Sequence, residues 1–195
     1  MDTSEATVNS AEPTPPRVRV GRCDLVVFAG LPGAGKSTVL HKLYASETVP
    51  VLDSEQVRGA VRSLLPRSVP YGSYRAVVHC IHRARIAWYC AAAASPVIAH
   101  EPSTRPTTRV MLLLIALLTR RQRVLVWLHV DAVEALAGQY ARGRRIRAHS
   151  FVRHVRHADR VQSLLRRGCR LRGWNTVHVF TREDLDSGVE LDVAQ

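Results

Sequence analysis

Residues 24–38 read Asp-Leu-Val-Val-Phe-Ala-Gly-Leu-Pro-Gly-Ala-Gly-Lys-Ser-Thr, and this stretch decides the fold. Its first part, Asp24 to Ala29, is a short and almost wholly apolar run, the pattern of a strand buried on both faces of a parallel sheet. Gly30 to Ser37 then fits G-x-x-x-x-G-K-[ST] without a gap. A helix is expected directly behind it, over Ser37 to Ala45. Strand, glycine loop and helix start, in that order, make a cradle for phosphate. Glycines let backbone amides curl around oxygens with no Cβ in the way, and the helix end adds partial positive charge. The loop is Gly30, Leu31, Pro32, Gly33, Ala34 and Gly35, with Thr38 as support. Lys36 reaches the β- and γ-phosphates as a mobile point charge, and Ser37 offers its hydroxyl to Mg²⁺. The motif therefore implies a nucleoside triphosphate, with ATP and Mg²⁺ as the expected pair.

Outward from the loop, short apolar runs alternate with helical stretches. Strands are expected at 49–52, 96–99, 124–130 and 176–180, and helices at 54–65, 74–94, 106–119, 131–140 and 150–167. Pro106 suits a first helical turn and Asp131 an N-cap. Phe151, Val155, Ala158, Val161 and Leu165 are spaced for one helix face. The alternation predicts an α/β fold, a three-layer α/β/α sandwich around a five-stranded parallel sheet. Residues 1–22 read as a flexible tail rich in Ser, Thr, Glu and Pro. Residues 23–182 read as the folded domain, and 183–195 as a peripheral acidic tail.

The whole chain has 195 residues, 46% hydrophobic and 23% charged, with a net charge of +12. That suits one globular domain with a real core and excludes a wholly disordered or collagen-like chain. Only Lys36 and Lys42 are lysines, so the excess is arginine, and residues 141–173 hold eleven arginines against one acid, Asp159. Four cysteines without a C-x-x-C pair argue against a zinc or redox motif. No secretory signal is visible, and the longest apolar run, Val110 to Leu118, is too short for a membrane helix. A cytoplasmic protein without a membrane partner is expected, monomer or dimer.

Only Asn9 and Asn175 are asparagines, and neither fits the Asn-Lys-x-Asp base-reading motif of GTP switches. Four segments, VVFAGLPGAGKST, VLDSEQVR, VIAHEPSTR and ARGRRIRAHSF, span residues 24 to about 160 and resemble the small P-loop kinases related to adenylate, gluconate and adenylylsulfate kinases. Within these, the chain is most similar to the "predicted kinase" or AAA-family ATPase group, which also resembles polynucleotide kinases and zeta toxins. The resemblance implies transfer of the ATP γ-phosphoryl group to an acceptor hydroxyl. It places Asp53 at the acceptor, as a base or orienting carboxylate, although Asp53 also suits the N-cap of the next helix. Arg58 would hold an anionic acceptor or the transferred phosphoryl. The third strand ends in His100 and Glu101 where P-loop enzymes usually direct magnesium with Asp. Glu101 then acts through a metal-bound water or replaces Asp53 as the base. Thr104 and Arg105 resemble the acceptor-side loop. Arg142, Arg144 and Arg145 match a lid, with Arg142 and Arg145 the catalytic candidates.

His79 and His82, three apart on one helix, could line an acceptor pocket but read more simply as partly exposed surface groups. His149, His154 and His157 lie among arginines, which opposes a cation site. The arginine surplus keeps a polyanionic acceptor open, small molecule, nucleotide or nucleic acid. Alternative functions are an ATP-gated nucleic-acid-binding module and a stand-alone ATPase.

Overall fold

The computed structural model describes residues 14–45, 49–141, 143 and 147–194. In chain order the elements are β1 (Arg17–Val20), β2 (Asp24–Gly30), α1 (Lys36–His41), β3 (Leu43–Ala45), β4 (Val51–Asp53), α2 (Ser54–Ser63) and α3 (Tyr71–Ala92). There follow β5 (Val97–His100), α4 (Pro106–Leu118), β6 (Gln122–Leu128), α5 (Ala132–Ala141), α6 (Ala148–Arg166), β7 (Thr176–Phe180), a 3₁₀ turn (Glu183–Leu185) and β8 (Val189–Val193).

The main sheet has the order β4-β5-β2-β6-β7, and every pair in it is parallel. This is the α/β P-loop architecture expected from the sequence. The chain leaves β2 for the edge strand β4, returns to β5 between β4 and β2, then crosses to β6 and β7 on the other side of β2. That reversal of direction puts helices on both faces and opens a crevice at the carboxyl ends of β2 and β5. Every residue of β2 is buried, which is why its sequence is apolar without alternation.

Two local devices hold the two ends of the sheet. Asp53 caps α2 by accepting the Glu55 amide at 3.0 Å, and the Gln56 side chain returns to the Asp53 amide in a capping box. At the opposite edge the buried guanidinium of Arg121 donates to the carbonyls of Cys90 (2.6 Å), Ser95 (2.9 Å), Asp24 (3.3 Å) and Ala93. It ties the end of α3 to the starts of β2 and β5.

Segments expected to be peripheral form a second sheet, β1-β8-β3, also parallel. Val18, Val20, Val189 and Leu191 are buried in it, while Arg17 pairs with Glu190 at 2.7 Å on the outside. Residues 17–20 and 189–193 are thus paired strands and not tails; residues 1–13 lie outside the described part. The same sheet shortens α1. The helix stops at His41 and Leu43–Ala45 pairs with β8, because an open strand edge is available there. Among the described residues no helix is long and apolar enough to cross a membrane.

Candidate functional site

The phosphate loop is shaped by three glycines with φ of 144° (Gly30), 95° (Gly33) and 102° (Gly35). A Cβ at Gly30 would stand 2.5 Å from the Leu128 carbonyl, and one at Gly33 2.0 Å from the Ala135 carbonyl, so neither position admits a side chain. Lys36 is buried, and its ammonium donates to the carbonyls of Gly30 (3.1 Å) and Leu31 (2.8 Å). It is held inside the loop it serves.

α5 forms the outer wall. Gln139 donates to the Pro32 carbonyl at 3.0 Å. Arg182, just past β7, donates to the Gly33 carbonyl at 3.3 Å and pairs with Glu134 at 3.2 Å. A Cβ on Gly138 would meet the Gly33 carbonyl at 2.3 Å, which explains a glycine inside a helix. Gly138→Ala is expected to push the loop out of shape and weaken nucleotide binding about tenfold or more, whereas Ala137→Gly next to it should not. Calorimetric titration of both variants checks this; equal affinities would remove the role of the close approach. Gly138, Gln139 and Arg182 escaped the sequence reading. Only the mid-helix glycine left a trace there, since glycine in a helix interior normally needs a packing reason.

The acidic side of the crevice is built by β4 and β5. The backbone after β5 stays bonded to β2: the Glu101 amide donates to the Phe28 carbonyl at 3.4 Å and the Gly30 amide to the Pro102 carbonyl at 3.1 Å. Glu101 is thereby fixed beside the phosphate loop, 3% exposed. Burial pushes its carboxyl up to about 7, against the pull of Arg83 and Lys36 and with help from Asp53. Asp53 is the opposite case. Burial works to raise it, but the hydrogen bond and charge of His100 and the Glu55 amide outweigh that and hold it near 2. Its Oδ2 lies 2.8 Å from His100 Nδ1 and its Oδ1 caps α2. Both carboxylate oxygens of Asp53 are engaged. Thus the cap and the site-edge reading of Asp53 hold together.

His82 is fully buried and not a surface group, with Nε2 3.7 Å from Glu101 Oε1, outside hydrogen-bond range. Burial lowers it to about 4, so the ring is neutral. Glu101 Oε1, Ser103 Oγ, His79 Nδ1 and both ring nitrogens of His82 are buried with no hydrogen-bond partner among the described residues. Such groups normally have a partner, so a cluster of them marks where a polar ligand or water belongs. His154, read from sequence only as a histidine among arginines, has a polar partner in the fold. It is buried on α6, its Nδ1 lies 2.5 Å from Thr104 Oγ1, and burial with the charges of Arg105, Lys36 and Arg75 lowers it to about 4.

The arginines divide. Arg105 at the start of α4 and Arg75 on α3 both act on His79 and His154, which places the four side chains near one another. Arg75 also donates to His79 Nε2 at 3.4 Å. Arg58 is held elsewhere, over the Tyr71 ring at 4.3 Å and near Glu55 at 3.5 Å. Arg142, Arg144 and Arg145 lie outside the described residues. Arg166, Arg167, Arg170 and Arg172 are exposed around the turn that enters β7, at the amino edge of the sheet, away from the phosphate loop. They flank a cavity of about 420 Å³ lined in part by Gly168 to Leu171 and Trp174. That part of the basic surplus does not face the crevice.

The donor set fits a nucleoside triphosphate and Mg²⁺. The glycine conformations leave a cradle that a Cβ would fill, Lys36 stands within it, Ser37 opens α1, and an unpartnered carboxyl lies across from it.

The profile of one protein family, described as the AAA domain, matches residues 25–168. A candidate kinase of Chloroflexus aurantiacus J-10-fl aligns over 84% of this chain and 92% of its own, at 14% identity and a TM-score of 0.56. The tunicamycin resistance protein of Deinococcus radiodurans covers 79% of this chain and 84% of its own, at 15% identity and a TM-score of 0.48. A gluconokinase of Sinorhizobium meliloti 1021 covers 86% and 93%, at 16% identity and a TM-score of 0.42. At these identities the likeness is one of fold. No curated protein matches the chain.

Proposed function

Because the chain belongs to the AAA domain family, with the P-loop fold described above, we propose that it transfers the γ-phosphoryl group of ATP to a hydroxyl of an anionic acceptor. The observation that carries this reading is Glu101: a buried carboxyl with an unpartnered oxygen, fixed by the backbone beside the phosphate loop and balanced near neutral pH.

The loop amides and Lys36 hold the β- and γ-phosphates, Lys36 exchanging the carbonyls of Gly30 and Leu31 for phosphate oxygens. Mg²⁺, bound through Ser37, supplies charge neutralisation for those phosphates. Glu101 accepts the proton of the acceptor hydroxyl at Oε1. The acceptor oxygen forms its bond to the γ-phosphorus as the bond to the β-bridging oxygen breaks and ADP departs. A base should have a pKa near working pH. That favours Glu101 over Asp53, which is held ionised near 2 and spends its oxygens on the cap and on His100. Asp53 instead shapes the acceptor edge. Arg142 and Arg145 would close over the transferring group and keep water out. The four cysteines are all free, which suits a reducing compartment such as the cytoplasm.

The acceptor's charge follows from its surroundings. Arg75 and Arg105 both act on His79, which burial and their charge keep toward its neutral form, and neither arginine is paired with a carboxylate among the described residues. Cations gathered without a counter-charge suit an anionic group that arrives with the acceptor, carboxylate or phosphate. Arg105→Gln is expected to raise the acceptor KM about tenfold or more while leaving the ATP KM within twofold. The check is initial rates against a panel of hydroxylated carboxylates, phosphate monoesters and neutral alcohols. Equal use of neutral alcohols, or an unchanged acceptor KM, contradicts the anionic assignment.

A further inference from the structure

The long helices α3 and α4 lie side by side, joined at their carboxyl ends by the Arg121 clamp. Their inner faces carry the buried residues that line the crevice and the sheet. Their outer faces are apolar and uncovered. On α3 the exposed positions Val77, Ile81 and Trp88 recur at helical spacing, and on α4 Leu114, Leu117 and Leu118 do the same. Trp88 is 71% exposed, Leu117 60% and Leu118 82%. Single exposed apolar residues are ordinary, but six large ones uncovered on two adjacent helices mark an interaction surface.

We infer that this face is a homodimer interface, in which a second copy of the chain lays its own α3–α4 face across it. Charge selects the occupant. Past Arg75 the exposed positions of α3 are uncharged, as are those of α4, while half-buried Arg83 and Arg85 and exposed Arg120 border the face. The chain as a whole carries +12, so two copies repel wherever their arginine surfaces meet. In a two-fold pair each patch meets its own image. An apolar stripe with its charges confined to the border is therefore a self-complementary choice on a strongly basic molecule. A partner of acidic chemistry would be drawn to denser arginine surfaces, such as that of Arg166, Arg167, Arg170 and Arg172. The long leucine side chains of one copy can fill the space around Trp88 of the other, and the small Ala84 within the same stripe leaves room for close approach.

The test is sedimentation equilibrium of the full chain over about 1–100 μM, with Leu117→Glu and Trp88→Glu as separate variants. Wild type is expected to weigh twice the 21.7 kDa of one chain, and each glutamate, forced into an apolar seam, to weaken the pairing at least 100-fold. Circular dichroism and melting confirm that both variants fold; since both positions are exposed in the single chain, little change is expected. A wild-type monomer throughout the range overturns the inference. So does a dimer that neither substitution disturbs, or an open-ended assembly in place of a closed pair.

Discussion

Glu101→Gln is expected to lower the phosphoryl-transfer rate about 10²–10⁴-fold while leaving ATP affinity within a few-fold, as loss of a general base should. The same change should stabilise the protein at alkaline pH. In the folded state the carboxyl is raised to about 7 from an ordinary 4.5. Below pH 4.5 both folded and unfolded chains keep the proton, and the residue contributes no difference. As pH rises toward 7 the unfolded chain releases the proton and the folded one retains it, so folding is progressively penalised. Above pH 7 the penalty is complete, up to roughly 3 kcal/mol for a shift of this size. Glutamine never ionises. The variant should therefore melt several degrees higher than wild type at pH 8 and at nearly the same temperature at pH 4. Burial supplies the shift, with Arg83 and Lys36 opposing it and Asp53 adding to it. Wild-type kcat/KM should rise with pH through about 7 as Glu101 deprotonates. A variant that retains its rate, or that is destabilised at pH 8, removes Glu101 from the role of base.

Lys36→Ala is expected to weaken ATP–Mg²⁺ binding by at least 100-fold, about 3 kcal/mol. A buried ammonium facing phosphate has no substitute in the loop: Arg182, which touches it from outside, is committed to Glu134 and the Gly33 carbonyl. The fold should survive. Truncation frees the Gly30 and Leu31 carbonyls, on the order of 1 kcal/mol each at most once water replaces the ammonium. Calorimetric titration with melting curves separates the two effects. Unchanged ATP affinity in a folded variant would contradict the loop assignment.

The residues that announced themselves in the sequence did so through local pattern. Asp24 to Thr38 combined an unbroken apolar strand, three obligatory glycines and a helix start, all short-range signals. Asp53 was legible as both cap and site-edge group because the Asx cap and the strand end fall on one residue. Tertiary partners were not legible. His82 read as a surface group and His154 as one histidine among arginines, and only packing of α3 and α6 buries them. Arg182 lies nearly 150 residues from Gly33, and no spacing rule connects them. The second sheet had a visible signal that was passed over. Arg17–Val20 and Val189–Val193 alternate charged and apolar residues with a period of two, but each strand is meaningful only beside the other. Composition located the arginine surplus without saying where it points. The four arginines at 166–172 stand at the far edge of the sheet, so that part of the excess is not at the site.

The most direct test follows the label. The protein is incubated with Mg²⁺ and ATP labelled at the γ-phosphate, with and without the anionic hydroxyl acceptors, and the products are separated. Label in a phosphate ester of an acceptor, absent with Lys36→Ala and greatly reduced with Glu101→Gln, is the expected result. Label found only as inorganic phosphate, released at the same rate with or without any acceptor and unaffected by Glu101→Gln, would contradict phosphoryl transfer.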